Sequence, residues 1–116
     1  MHAEVVWWDL SESGQTIESL RDYLRDESVP AFSQVAGLRL KIWISDPATS
    51  RWGAILLWES EEAARQPLPS RATALIGSPA VVRLGFDVEA TVEGQYQVEQ
   101  LAMRGLAWGA EVSSGG

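Results

Sequence analysis

The hydrophobic period of this chain switches repeatedly between that of a strand and that of a helix, and the order of the switches constrains the fold more than any single residue does. Residues 3–10, Ala-Glu-Val-Val-Trp-Trp-Asp-Leu, are β-branched and aromatic and run into the turn-forming stretch Ser11–Gly14, which predicts a strand. From Thr16 the apolar positions are Ile17, Leu20 and Leu24, with Glu18, Arg21, Asp22 and Arg25 between them, a helical spacing with one solvated face. Ser13 or Thr16 is placed to cap this helix, and Pro30 is expected to end it at or before Val29. A short helical piece burying Phe32 and Val35 then precedes Gly37. Residues 38–45 alternate, with Leu38, Leu40, Ile42 and Ile44 on one face and Arg39, Lys41, Trp43 and Ser45 on the other. Asp46–Ser50 is turn chemistry, so residues 52–58 form a third strand joined to the second as a hairpin. Ser60 caps a second helix with acids in its first turn, Pro67 and Pro69 interrupt it, and Ser70–Ile76 resumes it before Gly77 and Pro79. A fourth strand runs from Val81 to Val88 or beyond. Residues 94–108 have no decisive period.

Strand, helix, strand, strand, helix, strand is the order of the ferredoxin-like split βαβ arrangement, an α+β fold with strands one and three central and two and four flanking. The first and third strands are near-continuous apolar runs, as expected when both faces are covered, whereas the second alternates as a flank does. Two helices cover one face of such a sheet. The other face, carrying Trp7 or Trp8 and Trp52 or Trp58, needs a second cover, and a homodimer with sheets face to face supplies it.

At 116 residues there is room for one core, read as a single domain over residues 1–110 with a disordered tail at 111–116. The net charge of -7 repels phosphate backbones and anionic lipid, which argues against nucleic-acid and membrane partners. No apolar run approaches the roughly 18 residues of a membrane span. The N-terminus lacks the basic-then-apolar pattern of a signal peptide, so the expected location is cytoplasmic. There is no Cys, and the one His stands at position 2, beside a terminus expected to fray, which leaves zinc, iron–sulfur and thiol chemistry without ligands. Basic charge gathers where the chain looks most like sheet: residues 38–58 hold Arg39, Lys41 and Arg51 against Asp46 alone, whereas residues 1–37 hold seven acids and two bases.

Gly37-Leu38, Lys41-Ile42-Trp43, then Gly53-Ala54-Ile55-Leu56-Leu57-Trp58, Glu59-Ser60-Glu61-Glu62-Ala63 and finally Phe86-Asp87-Val88 together resemble the dimeric α/β-barrel superfamily, and within it the YdhR-like monooxygenases. The similarity covers roughly residues 3–90. Ala36 stands where that family often has Pro, and the Pro67–Pro69 break departs from its smoother second helix. The resemblance implies a ferredoxin-like homodimer and a monooxygenase acting on an aromatic or enolisable small molecule without a bound cofactor. Haem-degrading members of the superfamily use an Asn-Trp-His constellation, which a chain with no Asn and its only His at position 2 cannot assemble.

Oxygenation without a cofactor needs a substrate that loses a proton and donates its own electrons, and a protein that stabilises the resulting anion. The candidates are Lys41 and Arg83 for the anion, Asp87 as a base, and Arg39 and Trp43 as substrate-binding groups; no metal or cofactor ligands are expected. On the second strand Arg39, Lys41 and Trp43 share a face, and on the fourth Arg83 and Asp87 share one with Gly85 leaving space between them. Each has a plainer reading: Arg39 and Lys41 as salt-bridge partners of Glu59, Asp87 or Glu89, and the strand tryptophans as core or interface packing. A non-catalytic barrel binding a small hydrophobic ligand, an accessory subunit, or a cyclase or isomerase using the same pocket also fits these residues.

Overall fold

The computed structural model describes residues 1–96 and 101–109; the expected tail at 111–116 lies outside the described residues, as do residues 97–100 of the ambiguous stretch. The sheet begins with β1, His2–Asp9. His2 lies within the sheet: β1 is central, and its first residue is paired with Trp58 on one side and Asp87 on the other.

Helix α1, Ile17–Tyr23, is capped reciprocally at Thr16, whose Oγ1 accepts from the Ser19 N–H at 3.1 Å while the Thr16 N–H donates to Ser19 Oγ at 2.8 Å. The helical path does not stop before Val29, as the proline suggested. It widens over Leu24–Ser28 into a π turn, in which the Val29 N–H donates to the Leu24 carbonyl, and tightens again as α2, Val29–Phe32. Pro30 therefore falls in the first turn of a restarted helix, where a missing N–H breaks no bond.

Strand β2, Leu38–Asp46, turns through a 3₁₀ turn at Pro47–Thr49 into β3, Arg51–Trp58. Asp46 holds that turn, accepting from the Ala48 N–H at 3.1 Å and from the Thr49 hydroxyl at 2.8 Å. Helix α3, Glu61–Ala64, starts at Ser60, whose hydroxyl accepts from the Ala63 N–H at 3.1 Å. After the two prolines α4, Ala72–Ile76, ends at Gly77 with φ of 90°. Gly37, at φ 78°, is required sterically as well, because a Cβ there would stand 2.6 Å from the Cβ of Ala63. Strand β4, Val82–Asp87, closes the order β2-β3-β1-β4, every neighbouring pair antiparallel. The fold is α+β, a four-stranded antiparallel sheet with short helices.

Register decides which side chains meet the helices. Val6 and Trp8 of β1 and Trp52, Ala54, Leu56 and Trp58 of β3 point into a core completed by Leu10, Leu20, Leu24, Phe32, Ala72 and Ile76. Three tryptophans are thus buried on the helix side, and of the four strand tryptophans weighed above only Trp7 belongs to the opposite face. On β2 the expected alternation is interrupted. Leu38 pairs with Trp58 but Leu40 with Leu57, so a bulge at Arg39 turns the strand over. Lys41 and Trp43 then face the helices with Leu38, while Leu40, Ile42 and Ile44 face away; they do not share a side with Leu38. With Ile55, Leu84 and Phe86 they make an apolar outer face whose members are 37–51% exposed. Among the described residues no helix is long and apolar enough to cross a membrane.

Candidate functional site

The pairing lays two rows of side chains across the helix-facing side of the sheet. One row reads Trp43, Ala54, Val6, Arg83, and the next Lys41, Leu56, Glu4, Gly85. With strands about 4.8 Å apart, Trp43 and Arg83 stand at opposite ends of a short floor, and Lys41 and Glu4 are two strands apart beside it. Ala54 and Val6 are the small residues at the middle of that floor. Leu20, Tyr23, Phe32, Leu68 and Ala72 roof it, and the result is a cavity of about 50 Å³. Beyond it lies an open groove of about 720 Å³ between the β2 edge, α1 and α2, and residues 101–108. Phe32, Lys41, Trp43 and Trp52 line both spaces and form the throat between them.

Lys41 holds that throat. Its Nζ lies 3.3 Å from the centroid of the Phe32 ring and 4.5 Å from that of Trp43, and the two rings meet edge to face at 5.8 Å. Burial lowers the ammonium from its ordinary 10.5 to about 7, the Arg83 charge pushes the same way, and Glu4 opposes both. The ring faces also favour the charged form. Glu4 is already engaged, since its Oε1 accepts from the Trp58 indole N–H at 2.7 Å. Two cationic groups and one hydrogen-bonded carboxylate give the site a positive excess in a chain of net charge -7. Trp8 also lines the cavity, and its indole N–H is buried with no acceptor among the described residues.

Of the residues expected from sequence, the fold brings Lys41, Trp43 and Arg83 together. Arg39 does not line the cavity with them; it lines the open groove alongside Lys41 and Trp43 and makes an exposed ion pair with Glu59 at 3.6 Å, a geometry of little energetic weight. Asp87 is exposed at the end of β4, opposite His2, and does not line the cavity. The space that Gly85 was expected to leave between Arg83 and Asp87 is filled by the His2 ring, whose Nε2 would stand 2.9 Å from a Cβ at Gly85. Glu4, Phe32 and Trp8 were missed as site residues. Glu4 had a signal, being the one charge inside the run Ala3–Trp8. Lys41 had a stronger one: it is the only lysine in the chain, every other base apart from His2 being arginine.

Among the described residues no group of three or more His, Cys, Asp or Glu side chains is placed to hold a metal ion. No family model matches the chain, and no curated protein matches its sequence.

Proposed function

We propose that the chain is a ferredoxin-like homodimer of the dimeric α/β-barrel type that oxygenates an aromatic or enolisable small molecule without a bound cofactor. The observation that carries this reading is Lys41 at the throat, an amine titrating at about 7 beside a second cation and two aromatic faces. An amine that is about half unprotonated at neutral pH removes a proton from an activated methylene, and the ammonium so formed, with Arg83, stabilises the anion left behind. The Phe32 and Trp43 faces hold a flat ring against the throat, and the groove is of a size that small-molecule sites use. The carbanion transfers its electrons to molecular oxygen, a C–O bond forms, and the hydroperoxide loses water to leave a carbonyl. The balance is R₂CH₂ + O₂ → R₂C=O + H₂O, all four electrons coming from the substrate.

Oxygen uptake with anthrone-like and phenolic compounds tests the reaction. Lys41→Met is expected to reduce uptake about 100-fold or more, the usual contribution of a positioned base. Conversion of substrate without oxygen consumption would replace the reading with an isomerase. No conversion across the panel, with binding retained, would replace it with a ligand-binding barrel.

The ferredoxin-like arrangement is supported by the strand order, and homodimerisation by the apolar outer face of Leu40, Ile42, Ile44, Ile55, Leu84 and Phe86. Ile55→Glu, on the central strand β3, places a charge in that face and is expected to halve the mass seen by light scattering while leaving the circular dichroism spectrum unchanged. A wild-type protein that is monomeric at micromolar concentration removes the dimer.

A further inference from the structure

We propose that Lys41 is a nucleophilic amine that captures aromatic aldehydes as imines at the throat of the cavity. This goes beyond the oxygenase reading and does not depend on it, since no oxygen and no electron transfer are involved.

Three independent observations converge on the amine. The first is its uniqueness: the chain uses arginine at every other strongly basic position, and the single lysine stands where the small cavity meets the open groove. Arginine supplies charge but no nucleophile, because a guanidinium stays protonated in proteins, whereas a buried lysine is readily converted to the free amine. The second is the absence of an ion pair. Among the described residues no carboxylate lies within salt-bridge distance of Nζ, and the nearest acid of the floor, Glu4, is held by the Trp58 indole. The third is the complement of groups that a carbonyl compound would meet. Flat faces at Phe32 and Trp43 suit an aryl ring, the unpaired N–H of Trp8 suits an oxygen acceptor, and Arg83 suits an acidic substituent such as a phenolate. Titration at about 7 supports the same conclusion, with Arg83 of β4 and Glu4 of β1 as the charged groups facing the amine across the floor, and Tyr23 of α1 above it.

The step balances without a redox partner. The Nζ lone pair attacks the carbonyl carbon, the C=O π pair moves to oxygen and takes a proton, and the carbinolamine expels that oxygen as water to leave a C=N bond. The net change is R–NH₂ + R′CHO → R–N=CHR′ + H₂O.

The probes are 2-hydroxy-1-naphthaldehyde, which carries a phenol for Arg83, and 2-naphthaldehyde, which lacks it. Each is incubated with the intact protein, trapped with cyanoborohydride and located by peptide mass mapping. In the 116-residue polypeptide used for the experiment the α-amine of Met1 serves as the internal reference. The expected result is a single adduct on Lys41, formed at pH 7 about 100-fold faster than on a solvent-exposed lysine peptide, where only a few amines in ten thousand are unprotonated. Its rate should level off above pH 7 to 8. Lys41→Arg, checked for an unchanged melting temperature, should lose this adduct and keep the Met1 one. Arg83→Met should slow the hydroxylated probe at least tenfold and the plain aldehyde much less. Adducts confined to Met1, or a Lys41 rate still climbing towards pH 10, would overturn the proposal. Failure of oxygen uptake would leave it standing, and failure of imine trapping would leave the oxygenase reading standing with Lys41 acting only as a base.

Discussion

Trp58→Ala is expected to cost about 3–5 kcal/mol of stability and to move the urea midpoint down by about 2 M. Trp58 is the most deeply buried large side chain of the described residues, with no exposed surface, and it ends β3 between Leu38 and His2. Two losses combine in the alanine variant: the volume of an indole inside a packed core, and the N–H that Glu4 accepts at 2.7 Å. Trp58→Phe separates them. It keeps most of the ring volume and strands the carboxylate, so its cost should be about 1–3 kcal/mol. An alanine variant within about 1 kcal/mol of wild type would mean that β3 does not end in the core.

The opposite sign is expected at Lys41. Its ammonium is lowered in the folded protein to about 7, whereas the unfolded chain restores the ordinary 10.5. Between those values the unfolded chain binds more protons, so folding stability rises with pH across that window. Below about pH 7 both states are protonated, and the folded protein carries the full penalty of a desolvated charge. After allowance for the Phe32 and Trp43 faces, that penalty is on the order of 3 kcal/mol. Lys41→Met, of similar volume and without the charge, is therefore expected to be more stable than wild type by about 3 kcal/mol at pH 6, the difference shrinking to under about 1 kcal/mol by pH 10. Urea titrations of both proteins at the two pH values measure it. Equal stability at pH 6 would show that the amine is solvated. A variant that is more stable and also inactive is what a strained functional site produces.

Much of the frame was legible because it rests on local chemistry. Thr16 and Ser60 announce their helices, Gly77 ends one, and the Asp46-Pro47 turn joins β2 to β3; the central and flanking strands follow from which runs are apolar throughout. Features set by a single residue of offset were not legible. Nothing in Leu38-Arg39-Leu40 distinguishes a bulge from a regular strand, and that bulge decides whether Leu38 shares a face with Leu40 or with Lys41. The choice between Trp7 and Trp8 is likewise a matter of parity, fixed by register with β3 rather than by either residue. Pro30 misled because the proline rule assumes an unbroken α ladder, and the π turn at Leu24–Ser28 restarts it. Of the candidate site, Lys41, Trp43 and Arg83 were visible as bases and an aromatic on strands. Phe32 and Glu4 join them only through packing between elements far apart in the chain.

The extra residue at Arg39 affects only the first rung of the β2 ladder. Deleting it would bring Leu38, Leu40 and Lys41 into unbroken register with Trp58, Leu57 and Leu56 and would leave every later pair, down to Asp46 with Arg51, as it is. Ile42 and Ile44 would still face outward, and the only primary amine on a side chain would still face the helices. The placement of that amine is therefore inherited from the short turn between Asp46 and Arg51, which sets the register of the hairpin, while the run of apolar residues that precedes it can gain or lose a residue without moving the chemistry.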